Sequence, residues 1–149
     1  MVACNQNLNG WSTGAVTDMS WTFWQSDFNT NVGSWATSAV TTMNRMFNEC
    51  VKFNQNVNGF DTSAVVDMDY MFIRASSFNQ NLNNFNTGNP NVYRVVDMNY
   101  MFYSSSAFNQ NINGWNTVNV ERSTRMFDGN VLMTEAKKPP VCTLTSPGC

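Results

Sequence analysis

The chain has 149 residues, 12% of them charged, and a formal net charge of −2. That length suits one domain, and the charge balance excludes the clustered Lys and Arg that nucleic acid or an anionic membrane surface demands. Histidine is absent, which removes the commonest general base, triad partner and metal ligand at once.

From the N-terminus, Met1-Val2-Ala3-Cys4 leads straight into a repeat, with no signal sequence before it. Either a leader has been removed or the chain is a section of a longer array. The repeated phrase is Phe-Asn-Gln-Asn-hydrophobic-Asn-Gly-aromatic, then Thr, then Val-x-Asp-Met, then Met-Phe. Phe53–Phe60, Phe78–Phe85 and Phe108–Trp115 carry its opening, with looser copies at Cys4–Trp11 and Phe28–Trp35. The second Phe recurs as Phe23, Phe47, Phe72, Phe102 and Phe127, at steps of 24, 25, 30 and 25 residues. A fixed period of this size predicts stacked supersecondary units, none able to bury its apolar face alone. Five repeats follow, near residues 4–27, 28–52, 53–77, 78–107 and 108–127, and 128–149 form a C-terminal cap and tail.

Within a repeat, Phe-Asn-Gln-Asn-Leu-Asn suits a short strand in a parallel ladder, and Asn-Gly forms the turn after it. Met68, Met71 and Phe72 recur at i, i+3 and i+4, the spacing of one helical or 3₁₀ turn. The predicted fold is therefore a right-handed, leucine-rich-repeat-like β/α solenoid of about five coils. Its apolar columns include Phe28/Phe53/Phe78/Phe108, Trp11/Trp35/Phe60/Phe85/Trp115, Val40/Val65/Val95 and Met43/Met68/Met98. These account for ten Met and a high aromatic content without any cofactor.

The step of 30 residues marks an insertion, Gly88 to Arg94, that must bulge outward as a loop. Asn91, Tyr93 and Arg94 are the candidate partner contacts there, because exposed aromatic and Arg side chains anchor interfaces. A tolerated surface insertion is the alternative. Beyond Phe127, residues Val131 to Lys138 are expected to form a short helix over the last coil, before Pro139-Pro140 opens the tail. Cys142 and Cys149 bracket a turn-rich loop short enough for a local disulfide. Cys4 and Cys50 lie about two coils apart, beyond disulfide reach at ~4.8 Å per strand, and read as buried fillers. An intermolecular bond through Cys4 is the alternative.

Asparagine contributes 24 residues, and two of its columns run without a gap. Asn29, Asn54, Asn79 and Asn109 form one; Asn31, Asn56, Asn81 and Asn111 form the other. A ladder of amides bonded to each other and to turn backbone is one reading, and a flat polar array facing a partner is the second; the two are compatible. Asp18, Asp67, Asp69 and Asp97 form an acidic turn facing the surface. Calcium between coils is a weak alternative, since Thr42 interrupts the column and no EF-hand motif is present. No phosphate loop or nucleophile elbow occurs, and no Asn-x-Ser/Thr acceptor.

The phrases Val65-Val66-Asp67-Met68-Asp69-Tyr70-Met71-Phe72 and Phe78-Asn79-Gln80-Asn81-Leu82 resemble the BspA-like leucine-rich-repeat proteins, in their 25-residue variant. That resemblance implies a right-handed leucine-rich-repeat solenoid displayed outside the cell and associated with adhesion or binding; it implies no catalytic site and supplies no residue-level binding motif.

The sequence thus points to a non-enzymatic, extracellular or cell-surface module that binds protein or glycan through one face. An alternative is a structural subunit that assembles end to end through its bare first coil. A weaker one is an ice- or mineral-binding Asn/Thr array.

Overall fold

A computed structural model describes residues 5–85 and 95–140. The chain winds as five coils laid on one another, and the bonds between them follow one rule. In coil 1 the backbone N–H groups of Met19, Trp21, Phe23 and Gln25 donate to the carbonyls of Thr42, Asn44, Met46 and Asn48 in coil 2. The same four rungs recur from Met43–Glu49 to coil 3, from Met68–Arg74 to coil 4 and from Met98–Ser104 to coil 5, with N···O distances of 2.7–3.0 Å. At each of the first three interfaces a single backbone bond runs the other way, such as Thr41 N–H to the Thr17 carbonyl, and at the fourth both Glu121 and Arg122 N–H donate back to the Val96 carbonyl.

The expected β/α solenoid is overturned. Among the described residues there are no strands, only isolated parallel bridges linking Asp18, Thr42, Asp67, Asp97 and Arg122 in series. The one helical element is a 3₁₀ turn at Glu135–Lys137, shorter than the helix expected over residues 131–138.

Both errors have a physical cause. The Met68/Met71/Phe72 spacing does produce turns, with Met71 N–H on the Met68 carbonyl and Ile73 N–H on the Tyr70 carbonyl. Tyr70 and Arg74, however, have φ of 57° and 55°, which a right-handed helix cannot contain. The left-handed pair recurs in every coil, as Trp21/Gln25, Arg45/Glu49, Tyr100/Ser104 and Arg125/Gly129. It turns every second N–H along the stack instead of around the coil. On the opposite side, where strands were expected, asparagine side chains take the place of partner carbonyls, so no β ladder forms.

Phenylalanine fills the interior in two columns. Phe23, Phe47, Phe72, Phe102 and Phe127 stack with centroids 5.5–5.6 Å apart. Phe28, Phe53, Phe78 and Phe108 stack at 5.8–6.1 Å. Where one coil passes into the next the two columns meet with rings nearly parallel, Phe23 on Phe28 at 3.7 Å, and Phe72 on Phe78 and Phe102 on Phe108 at 4.1 Å. Met43, Met46, Met68, Met71, Met98 and Met101 are fully buried between these rings and the valine column. Thr13 and Thr37 are buried too, each donating its hydroxyl to a carbonyl of the next coil, Ala36 and Asp61 respectively. The turns approach so closely that a Cβ on Gly33 would stand 2.9 Å from the Asn56 carbonyl oxygen.

Cys50 is a free, buried thiol, bonded to the Ser26 and Phe28 carbonyls, and burial pushes its pKa up. Cys4, Cys142 and Cys149 lie outside the described residues, so their expected pairings have no structural account.

Phe78 is fully buried with Phe53, Phe72 and Phe108 against it. Phe78→Ala is expected to cost about 3–5 kcal/mol, the range for emptying a packed aromatic site. Denaturant titration should show a lower midpoint with an unchanged slope; a loss below about 1 kcal/mol would mean the coils close over the gap.

Candidate functional site

The two asparagine columns do different work. In the first, the side-chain Oδ1 of one coil accepts the backbone N–H of the equivalent Asn in the next: Asn5 from Asn29 at 2.8 Å, Asn29 from Asn54 at 2.9 Å, Asn54 from Asn79 at 3.0 Å and Asn79 from Asn109 at 2.9 Å. The Gln that follows adds its own amide to the same oxygen, as Gln80 Nε2 does to Asn54 at 2.9 Å. In the second column, Asn31, Asn56, Asn81 and Asn111 each accept the N–H two residues on, closing an Asx turn at 2.7–3.1 Å.

The bonds run from backbone N–H to side-chain amide oxygen, and among the described residues none joins the amides of a column to each other. Asn29, Asn54 and Asn79 are exposed, their oxygens are occupied, and their Nδ2 groups have no partner among the described residues. A row of N–H donors, one coil apart, therefore faces solvent.

A second stripe was not foreseen. Trp21, Arg45, Tyr70, Tyr100 and Arg125 hold the same left-handed position in successive coils. The Arg45 guanidinium lies 4.6 Å from the Trp21 ring centroid and 4.2 Å from that of Tyr70, and Tyr70 stacks on Tyr100 at 4.8 Å. From Trp21 to Tyr100, planar groups, aromatic or guanidinium, thus form one continuous stack. The only signal in the sequence was a planar side chain two places after each column Met, or after Ser123 in the last coil.

Beside this stripe lie the acidic residues. Asp67 Oδ1 accepts the Asp69 N–H at 2.9 Å, Asp67 Oδ2 accepts Asn44 Nδ2 at 3.3 Å, and Arg122 pairs with Asp97 at 2.6 Å. Oδ1 of Asp69 is buried with no partner. Burial first, then the Asp97 and Asp67 carboxylates, push the Asp69 carboxyl up to about 7 against the pull of Arg45 and Arg122. Among the described residues no group of His, Cys, Asp or Glu could hold a metal ion.

At the coil 1 end, Trp11, Trp21 and Trp24 are 61%, 46% and 47% exposed. A hollow of about 560 Å³ opens between Trp11 and Trp24, with Leu8 and Phe23 beside it. The expected contacts Asn91, Tyr93 and Arg94 lie outside the described residues.

Coils held by a backbone ladder with four rungs in one direction at each interface, and walled by amides, make this a stacked-repeat protein. The chain belongs to the family described as "Mycoplasma protein of unknown function, DUF285", which matches residues 1–92 and again 88–138. No curated protein and no solved structure matches the chain. Among the described residues no helix is long and apolar enough to cross a membrane.

Asp69 gives a pH signature. Its folded pKa lies above its unfolded value of about 3.9, so its contribution to stability is full below pH 4 and is lost as pH rises through 7. Asp69→Asn should flatten that decline and raise stability at pH 8 by about 1 kcal/mol, allowing for solvent screening. Thermal melts at pH 5 and pH 8 read this directly, and equal losses for both proteins would refute it.

Asn54 supplies the acceptor for Asn79 N–H and Gln80 Nε2. Asn54→Ala is expected to cost about 1–2 kcal/mol by stranding those donors, whereas Asn54→Asp keeps the acceptor and costs under about 1 kcal/mol. Urea midpoints for the two variants in the reverse order would show that the ladder bond is not the stabilising element.

Proposed function

We propose that this chain is a non-enzymatic interaction module, displayed outside the cell or on its surface, that binds protein or glycan through its asparagine face. The observation that carries this reading is the row of Nδ2 donors on Asn29, Asn54 and Asn79: the scaffold uses their oxygens and leaves their N–H groups outward. Such a row offers regular hydrogen bonds to hydroxyls or carbonyls along an extended ligand, and a rigid stack presents it at little ordering cost. The BspA-like resemblance, with its implied adhesive role, supports the same reading. Absence of histidine and the scarcity of charge fit a recognition surface better than a reaction centre.

Binding to arrayed glycans and to purified extracellular-matrix proteins tests it, with Asn54→Asp as the paired variant because it keeps the fold's acceptor and removes the outward donor. A ligand should be bound by the native chain and lost at least about tenfold by the variant, about 1.4 kcal/mol for one donor. A ligand held equally by both moves the site off this face, and binding to nothing in either panel sinks the reading.

A further inference from the structure

The ladder has a direction, and its two ends are therefore different. Four N–H groups point from each coil toward the next, at all four interfaces. Coil 1 consequently presents the carbonyls of Asp18, Ser20, Thr22 and Trp24 with no partner among the described residues, and coil 5 presents the N–H groups of Ser123, Arg125, Phe127 and Gly129 in the same state. Four acceptors on one end match four donors on the other, at equivalent positions of the repeat.

The side chains match as well. Arg122 shares a column with Asp18, Thr42, Asp67 and Asp97. Arg125 holds the left-handed position of Trp21, whose inner face already carries the guanidinium of Arg45. Trp35 and Trp115 donate their indole Nε1 to the preceding coil's Leu8 and Leu82 carbonyls, both at 3.0 Å. Trp11 occupies the same column, and its Nε1 has no partner among the described residues.

One segment stands in the way. Residues 131–140 lie on the asparagine side of coil 5, where a sixth coil would sit. Lys137 Nζ takes the place of the next backbone N–H on Asn109 Oδ1 at 2.5 Å, the Lys137 carbonyl accepts Ile112 N–H at 3.0 Å, and the Ala136 carbonyl accepts Asn113 Nδ2 at 3.0 Å. Met133, within this segment, is buried in the core cluster.

We propose that the coil 1 end is a docking surface for the coil 5 end of a second copy, and that residues 131–140 are the stop that blocks this head-to-tail stacking. With the segment seated, its Lys138 ammonium lies 5.8 Å from the Phe127 ring centroid and the asparagine half of the coil 5 end is occupied, so an incoming coil cannot seat fully. With the segment displaced, the ladder continues from chain to chain without changing rule. The contact is heterologous, so it propagates instead of closing.

The full chain carrying Met133→Asp and Lys137→Glu releases the stop without altering any coil residue. Light scattering should show the native chain as a monomer across a wide concentration range and the double variant growing severalfold in mean mass as concentration rises. Native chain added in equimolar amount should arrest that growth, because it brings an open coil 1 end and a blocked coil 5 end. Native chain with Trp21→Asn, which keeps a residue tolerant of left-handed φ, should fail to arrest it. A double variant that unfolds cooperatively yet stays monomeric overturns the proposal. So does growth that the native chain cannot arrest, which is aggregation, or arrest that Trp21→Asn leaves unchanged.

Discussion

The backbone ladder between coils is the constraint on which everything else rests. For four N–H groups per coil to point the same way, the chain must reverse its local hand twice, at Tyr70 and Arg74 in coil 3 and at their equivalents elsewhere. Left-handed φ at a non-glycine residue costs about 1–2 kcal/mol, so two per coil cost about 2–4. Four net hydrogen bonds return about 2–6 kcal/mol. Those terms nearly cancel, and the decision falls to the phenylalanine and methionine columns that the ladder brings into register. Each fully buried Phe or Met adds about 1.5–3 kcal/mol, and a coil such as coil 3 buries Phe53, Phe72, Met68 and Met71 completely. The ladder sets the geometry, and the columns supply the free energy.

That division explains what the sequence revealed. The period, the number of coils and the identity of the core were legible because apolar columns repeat in chemical type: Phe28, Phe53, Phe78 and Phe108 are the same residue in the same place. Backbone form was not legible. An i, i+3, i+4 pattern at Met68, Met71 and Phe72 is what a helical turn needs, but it is equally what a coil needs when a left-handed residue intervenes between two inward-facing side chains. The strand reading of Phe-Asn-Gln-Asn failed for a related reason, since Asn54 Oδ1 substitutes for a carbonyl and a ladder made by side chains leaves no β pattern.

The candidate surfaces divide along the same line. Both Asn columns were visible as columns, yet their different tasks depend on a two-residue offset that places Asn54 across the interface and Asn56 within its own turn. The Trp21/Arg45/Tyr70/Tyr100 stack was hidden because its members differ in charge and polarity. What they share is planarity, and only the geometry of 4.2–4.8 Å spacings reveals that a guanidinium can stand where a ring stands.

A stack of this kind separates recognition from assembly by direction. Its sides repeat once per coil and present the same groups over and over, which suits an extended or repetitive ligand. Its ends are single and polar: carbonyls, Asp18 and exposed indoles at one, N–H groups with Arg122 and Arg125 at the other. A substitution on a side, such as at Asn54, perturbs one rung among several equivalent ones. A substitution at an end, such as at Trp21, acts on a surface that occurs once per chain. The same regularity that makes the sides tolerant therefore concentrates any control over association in the few residues at an end, and the proposed stop places it in Lys137, Met133 and the turn they anchor.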